Sequence, residues 1–125
     1  MRVTIPVLEQ TIVDDGLYTA EKEAIFEIDT SVYSEERWEK NFPELAAKEG
    51  LFQYAERIRK GALTDRVLVS CMLKAIYCFV ESEAVPTYKS FAQLFNLAVP
   101  SYTEKLISKL KTVFELILNG SATKN

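Results

Sequence analysis

The sequence predicts a mainly α-helical protein, with about five helices around a central apolar helix and a small N-terminal antiparallel β element. Branched apolar residues alternate with polar residues in parts of the first 29 positions, as they do in strands. Beyond residue 29 the apolar residues recur at helical spacing, and residues 65–82 are apolar on nearly every side. At 125 residues the chain fits one domain. We expect it to comprise the β element (1–29), a helical body (30–119) and a flexible tail (120–125).

The β element is predicted from two segments, residues 2–8 and 23–29, which carry the alternating pattern. Pro6 restricts the first segment to a sheet edge or bends it, because proline has no N–H to donate to a ladder. Asp15-Gly16 is a strong turn signal, so a tight hairpin over residues 11–19 is an alternative pairing. The pattern therefore predicts two or three antiparallel strands.

The first two helices are separated by a proline. Ser34 is predicted as the N-cap of a helix that runs to about Asn41. Pro43 begins a second helix, because proline is tolerated in the first turn. Gly50 loosens or breaks this helix midway, and Gly61 ends it.

The third helix, residues 65–82, is capped by Thr64 or Asp65 and predicted to lie at the centre of the fold, since a helix that is apolar all round is buried. Other helices then pack around it. The residues predicted to lead the core are Val69, Met72, Leu73, Ile76, Phe79, Phe91, Leu110 and Phe114.

Two more helices follow. Thr87 is the predicted N-cap of a short helix over residues 88–96. Ser101 and Glu104 form a predicted capping box for the last helix, which runs to about Asn119.

Composition argues against several classes of chemistry. The chain has no histidine, which removes the usual acid–base side chain and the commonest zinc ligand. Cys71 and Cys78 are seven residues apart, about 10 Å along a helix, which is too far for a disulfide. We expect both cysteines to be reduced and to behave as small apolar side chains. We also expect no bound metal, no cofactor and no enzymatic activity. The longest apolar run, residues 67–80, is shorter than the ~20 residues of a membrane helix and contains Lys74.

Two sets of residues are candidates for catalysis. Glu35 and Glu39 lie on one helix face, but mixed charges are more typical of a solvated helix surface. Lys74 is a cation in an apolar helix, where a buried amine can act as a nucleophile. The simpler interpretation of Lys74 is that its stem lies on the core while its ammonium group reaches water.

Trp38 stands in a run of charged residues, four positions before Phe42. The two rings share a helix face, which indicates either a core stripe or a docking surface, since tryptophan is enriched at interface hot spots. At the end of the last helix, Leu116 and Leu118 flank Ile117, so the three cannot all face one core. The candidate partner contacts are therefore Trp38, Phe42, Leu116 and Leu118.

Three segments, "FEIDTSVYSEERWEKNFPEL", "GLFQYAERI" and "LKAIYCFVESEAVPTYKSFAQLF", give the chain a resemblance to a known family. In the order of their aromatic and charged positions, they resemble the small tail assembly chaperones of long-tailed (siphovirus-type) bacteriophages of Gram-positive hosts. The resemblance implies a mostly helical, non-enzymatic protein of the host cell cytoplasm, absent from the mature virion. Its implied partners are the tape measure protein, which it coats, and the tail tube protein, whose subunits it recruits.

A coat of many copies also predicts self-association. Neither specific nucleic-acid binding nor membrane binding is expected. The alternative is a small helical regulatory or nucleic-acid-associated protein, favoured if Arg57, Arg59, Lys60 and Arg66 form a basic patch.

Overall fold

A computed structural model describes residues 1–14, 16–81 and 85–120. In these ranges two antiparallel strands precede six helices, so the mainly helical class with a small N-terminal β element is confirmed. The strands are β1 (Arg2–Val13) and β2 (Gly16–Glu27). The helices are α1 (Val32–Asn41), α2 (Pro43–Ala46), α3 (Leu51–Lys60), α4 (Asp65–Phe79), α5 (Tyr88–Ala92) and α6 (Pro100–Gly120).

The strands form one hairpin that is longer than either predicted segment. Pairing is continuous from Arg2 with Glu27 to Val13 with Gly16, so the outer pairing and the tight hairpin are parts of one ladder. Asp14 has a positive φ of 54°, as the first central residue of a two-residue hairpin turn requires. The turn thus begins one residue earlier than predicted, and Gly16 starts β2. Asp15 lies outside the described residues.

Among the hairpin side chains that the structure describes, those at the base join the core. Val3, Ile5 and Val7 are buried on one face together with Phe26 of the neighbouring strand. Tyr102 of α6 donates a buried hydrogen bond of 2.7 Å to the carbonyl of Pro6. The Pro6 carbonyl therefore accepts a hydrogen bond from a helix, which is consistent with the predicted place of Pro6 at a sheet edge.

Helix α1 begins earlier than predicted. Its N-cap is Ser31, whose hydroxyl accepts from the Tyr33 N–H at 3.2 Å. The prediction of Ser34 as N-cap is wrong: this residue is fully buried inside the helix, and its hydroxyl donates to the Ser31 carbonyl at 2.7 Å. Ser31 is the better cap because it keeps an extended backbone, with ψ of 175°.

Gly50 divides the second predicted helix into α2 and α3, which explains why the described residues contain six helices rather than about five. Gly50 is the N-cap of α3, with φ of −73° and ψ of 168°. Gly61 is the C-cap, as predicted, and it takes an extended conformation there.

Helix α4 starts after Thr64, as predicted, but ends at Phe79 rather than at residue 82. Val80 is extended and forms an antiparallel bridge with Ile28, so the chain leaves the helix to extend the edge of the hairpin. Ser70, Cys71 and Lys74 are partly exposed, so the helix is not buried on every side. Its position at the centre of the fold stays a prediction.

The predicted N-cap is correct for α5 but not for α6. Thr87 is the N-cap of α5, as predicted, and its hydroxyl accepts from the Ser90 N–H at 3.1 Å, although the helix is shorter than expected. The predicted capping box at Ser101 and Glu104 is wrong, because α6 already begins at Pro100. The Thr103 N–H donates to the Val99 carbonyl at 3.0 Å, which places Ser101 inside the first turn.

The hairpin base and the helices share one apolar core. All eight residues predicted to lead it are buried, namely Val69, Met72, Leu73, Ile76, Phe79, Phe91, Leu110 and Phe114. Gly120 is the last described residue of α6, and the rest of the predicted tail, residues 121–125, lies outside the described ranges.

Candidate interaction surface

Trp38 is sealed inside the protein. Its side chain has 0% exposure, and its ring centroid lies 4.7 Å from that of Tyr54 and 5.5 Å from that of Phe42. The indole N–H donates to the Glu49 carbonyl at 3.0 Å, which satisfies its only polar group. The prediction of Trp38 as a partner contact is therefore wrong, because no part of the ring reaches the surface.

The charged residues around Trp38 hold neighbouring elements together. The Glu35 carboxylate accepts from the Leu51 N–H at 2.9 Å and from the Phe52 N–H at 3.4 Å. It thus caps the start of α3, where free N–H groups and the helix dipole favour an anion. Glu39, its proposed catalytic partner, is exposed on α1. Glu35 is therefore engaged in helix capping, whereas Glu39 is exposed to solvent.

The Arg37 side chain contacts the end of α4, whereas that of Glu35 contacts the start of α3. Its Nε donates to the Cys78 carbonyl at 2.7 Å, and its Nη1 pairs with Asp29 at 3.2 Å. Hydrogen bonds from Ser31, supported by Arg37, hold the pKa of Asp29 below its usual value. A charged side chain on α1 therefore links the end of the hairpin segment to α4.

Lys74 lies at the edge of the core, partly exposed, and its ammonium group donates to the Ser70 hydroxyl at 3.3 Å. This placement agrees with the interpretation that the stem lies on apolar neighbours while the charge reaches the surface.

Burial raises the pKa of the Cys78 thiol to about 12, so this cysteine stays protonated at neutral pH. Both cysteines are free thiols.

The other three predicted contacts differ in exposure. Phe42 is partly buried against Tyr88, with ring centroids 5.3 Å apart, and it borders an open groove of about 460 Å³ that Lys74 also lines. On α6, Leu116 is 48% exposed, Ile117 is buried and Leu118 is partly buried. Leu116 is therefore the predicted contact most available to a partner.

The proposed basic patch is partly neutralised. Arg57 pairs with Glu49 at 2.7 Å, and Arg59 pairs with Glu56 at 2.8 Å. Lys60 and Arg66 are exposed at the connection between α3 and α4. Two of the four cations are thus already paired within the chain, which weakens the nucleic-acid alternative.

The outer part of the hairpin is the surface that sequence reasoning missed. We call residues 9–23 the hairpin arm. All of its described side chains are exposed, and Ile12, near the tip, is 79% exposed. Lys105 of α6 contacts the arm through Glu21 at 3.3 Å. The turn signal was present in the sequence, because Asp15-Gly16 lies near the middle of residues 1–29, but the alternating pattern did not show that pairing would be continuous from Arg2 to Val13.

Charge is divided unevenly between the hairpin segment and the helical body. Residues 1–29 contain seven acidic and two basic side chains, whereas the remaining residues contain eleven acidic and thirteen basic ones. Within the arm, Lys22 pairs with Glu9 at 2.7 Å, and Glu21, Glu23 and Asp14 add further negative charge. The arm is therefore an acidic ribbon with an apolar side chain near its tip.

Among the described residues, no group of three or more histidine, cysteine, aspartate or glutamate side chains is placed to hold a metal ion. Within the same ranges, no helix has the length and apolar character needed to cross a membrane. The chain matches no protein-family model, no curated protein and no solved structure.

Proposed function

We propose that this protein is a non-enzymatic tail assembly chaperone of a long-tailed bacteriophage. It binds the tape measure protein and helps to recruit tail tube subunits to it. In this role it self-associates, acts in the host cell cytoplasm and is absent from the mature virion. The sequence resemblance suggests the family, and the exposed hairpin arm is the observation that carries a binding role.

The arm supports binding because isolated two-stranded hairpins are only marginally stable in water. Strands whose edges and apolar side chains are left uncovered are also prone to pair with other chains. Here Ile12 is 79% exposed on the arm and Ile25 is 66% exposed nearer the base. A partner that covers this ribbon would remove apolar surface from water and stabilise its strands.

A non-enzymatic role is supported by the uses of the candidate catalytic groups. Glu35 caps α3, and Lys74 bonds Ser70 on its own helix. Both of these charged groups therefore have a structural partner within the chain.

Co-expression with the tape measure protein of the same phage genome tests the proposal. We expect affinity-tagged chain to retain the tape measure protein in soluble form, with many copies of the chain per tape measure chain. Recovery of the tagged chain alone, with the tape measure protein insoluble, would contradict it. A tape measure gene immediately downstream of this gene is the genomic counterpart of the same test.

Leu116→Glu tests whether the end of α6 contributes to that complex. Because Leu116 is 48% exposed, the substitution leaves the core intact, and we expect at least tenfold less tape measure protein to be retained. Leu97→Glu is the matched control, since this leucine is 41% exposed on another part of the surface. Equal retention by the Leu116→Glu variant and the unmodified chain excludes Leu116 as a contact.

A further inference from the structure

The hairpin arm needs a partner surface that accepts an acidic ribbon with an isoleucine near its tip. A second arm is a poor partner, because pairing two arms would bring their carboxylates together and like charges opposed across a ladder are destabilising. A complementary surface must offer cations around an apolar recess. The helical body, with its excess of basic side chains, is the part of the chain where such a surface can occur.

A cavity of about 380 Å³ between α3, α4 and α6 has these properties. Its apolar walls include Ile58, Met72 and Phe114, and the cations Arg59 and Lys111 stand at its edge. The volume is larger than one isoleucine side chain. Asp65 and Glu115 also line it, and Glu115 already pairs with Arg59 at 3.4 Å. Lys111 is exposed and takes part in none of the ion pairs found within the described ranges.

The cavity and the hairpin lie on different sides of α6. Lys111 and Phe114 line the cavity, whereas Tyr102 and Lys105 contact the hairpin. Each copy therefore carries both surfaces separately, and one copy can bind a neighbour at each side. Contacts between two different surfaces of identical subunits build rings or open filaments.

We propose that the hairpin arm of one copy docks on the helical body of the next, with Ile12 in the cavity between α3, α4 and α6 and with Lys111 facing the arm's carboxylates. This inference rests on the self-association that is part of the proposed function, and it specifies the two surfaces that join. Docking buries the exposed isoleucine and brings opposite charges together. Association of this kind weakens as salt is added.

Sedimentation of the 125-residue chain over a range of concentrations tests the docking. We expect the average mass of the unmodified chain to rise with concentration. Ile12→Asp, which damages the arm, and Lys111→Glu, which damages the cavity edge, should each weaken association at least tenfold. Both positions are exposed, so circular dichroism should show the same fold as in the unmodified chain. Val32→Asp is the control, since it alters an apolar side chain that is 76% exposed on α1, outside both the arm and the cavity, and should leave association unchanged.

Mixing the two defective variants distinguishes head-to-tail docking from other modes. The Ile12→Asp variant keeps its cavity and the Lys111→Glu variant keeps its arm, so the mixture should form a one-to-one dimer that grows no further. A mass that stops at a dimer for the unmodified chain, with Lys111→Glu unaffected, indicates symmetric pairing of arms and overturns the proposal. A chain that stays monomeric at every concentration also overturns it.

Failure of docking and failure of the chaperone role give different results. Loss of association in the Ile12→Asp and Lys111→Glu variants supports docking whatever the tape measure protein does. An unmodified chain that forms these oligomers but retains no tape measure protein contradicts the chaperone role and leaves the docking in place. An unmodified chain that stays monomeric but retains the tape measure protein contradicts the docking and supports the chaperone role.

Discussion

At the scale of single residues, Glu35 shows how a surface charge can act in helix capping. Its carboxylate comes from α1 and accepts two N–H groups at the start of α3. Glu35→Gln removes the charge that complements the helix dipole, so we expect a loss of about 1 kcal/mol in the free energy of unfolding. Urea denaturation measures it. Glu39→Gln, at an exposed position of the same helix, should change stability by less than ~0.5 kcal/mol. Equal effects of the two would refute the cap.

Trp38 is a second residue whose replacement should be costly. Because its ring is fully buried and its N–H bonds Glu49, Trp38→Ala should cost about 3–5 kcal/mol in the free energy of unfolding. Val32→Ala is the control on the same helix, at a position 76% exposed, and it should be nearly neutral. A Trp38→Ala variant that keeps its stability but loses its partner would restore the docking interpretation that the structure contradicts.

At the scale of elements, α4 contributes the longest stretch of buried side chains, and its predicted central place can be tested directly. Ile76 is 0% exposed, so Ile76→Ala should cost about 2–5 kcal/mol in chemical denaturation. Val67→Ala, on the same helix at a site 43% exposed, should cost far less. If Ile76→Ala lowers the free energy of unfolding as little as Val67→Ala does, other helices form most of the core and α4 is not central.

At the scale of the whole molecule, the hairpin segment, α1 and α4 meet at Asp29 and Arg37. The Asp29 N–H donates to the Phe79 carbonyl at 2.7 Å, while its carboxylate pairs with Arg37. Val80 completes the junction by its bridge to Ile28. The hairpin is thus joined to the helices both by backbone pairing and by an ion pair with little exposure.

Acid should weaken this junction. The folded pKa of Asp29 is lowered, chiefly by hydrogen bonds from Ser31, so its contribution is present above the unfolded pKa of roughly 3.9. That contribution is lost as pH falls through the lower, folded pKa. Asp29→Asn should therefore be less stable than the unmodified chain at pH 7, with a difference that shrinks in acid below about pH 4. Urea denaturation across pH measures it.

Glu36→Gln is the control for this pH dependence, because it removes an exposed carboxylate from α1. Its stability curve should run parallel to that of the unmodified chain. A constant difference between Asp29→Asn and the unmodified chain at all pH values would show that the ion pair and the Ser31 hydrogen bonds do not set the pKa of Asp29.

The sequence by itself determined the helical class, an N-terminal antiparallel β element and the leading core residues. Period and turn chemistry are local, so the caps at Thr64 and Thr87 and the break at Gly50 could be predicted from neighbouring residues. The tertiary structure decided which charged residues bond other elements. Glu35 reaches α3 across 16 positions and Arg37 reaches Cys78 across 41, and no local pattern encodes such distances. It also decided that Trp38 is buried while the arm is exposed, because burial depends on which faces meet when distant elements pack.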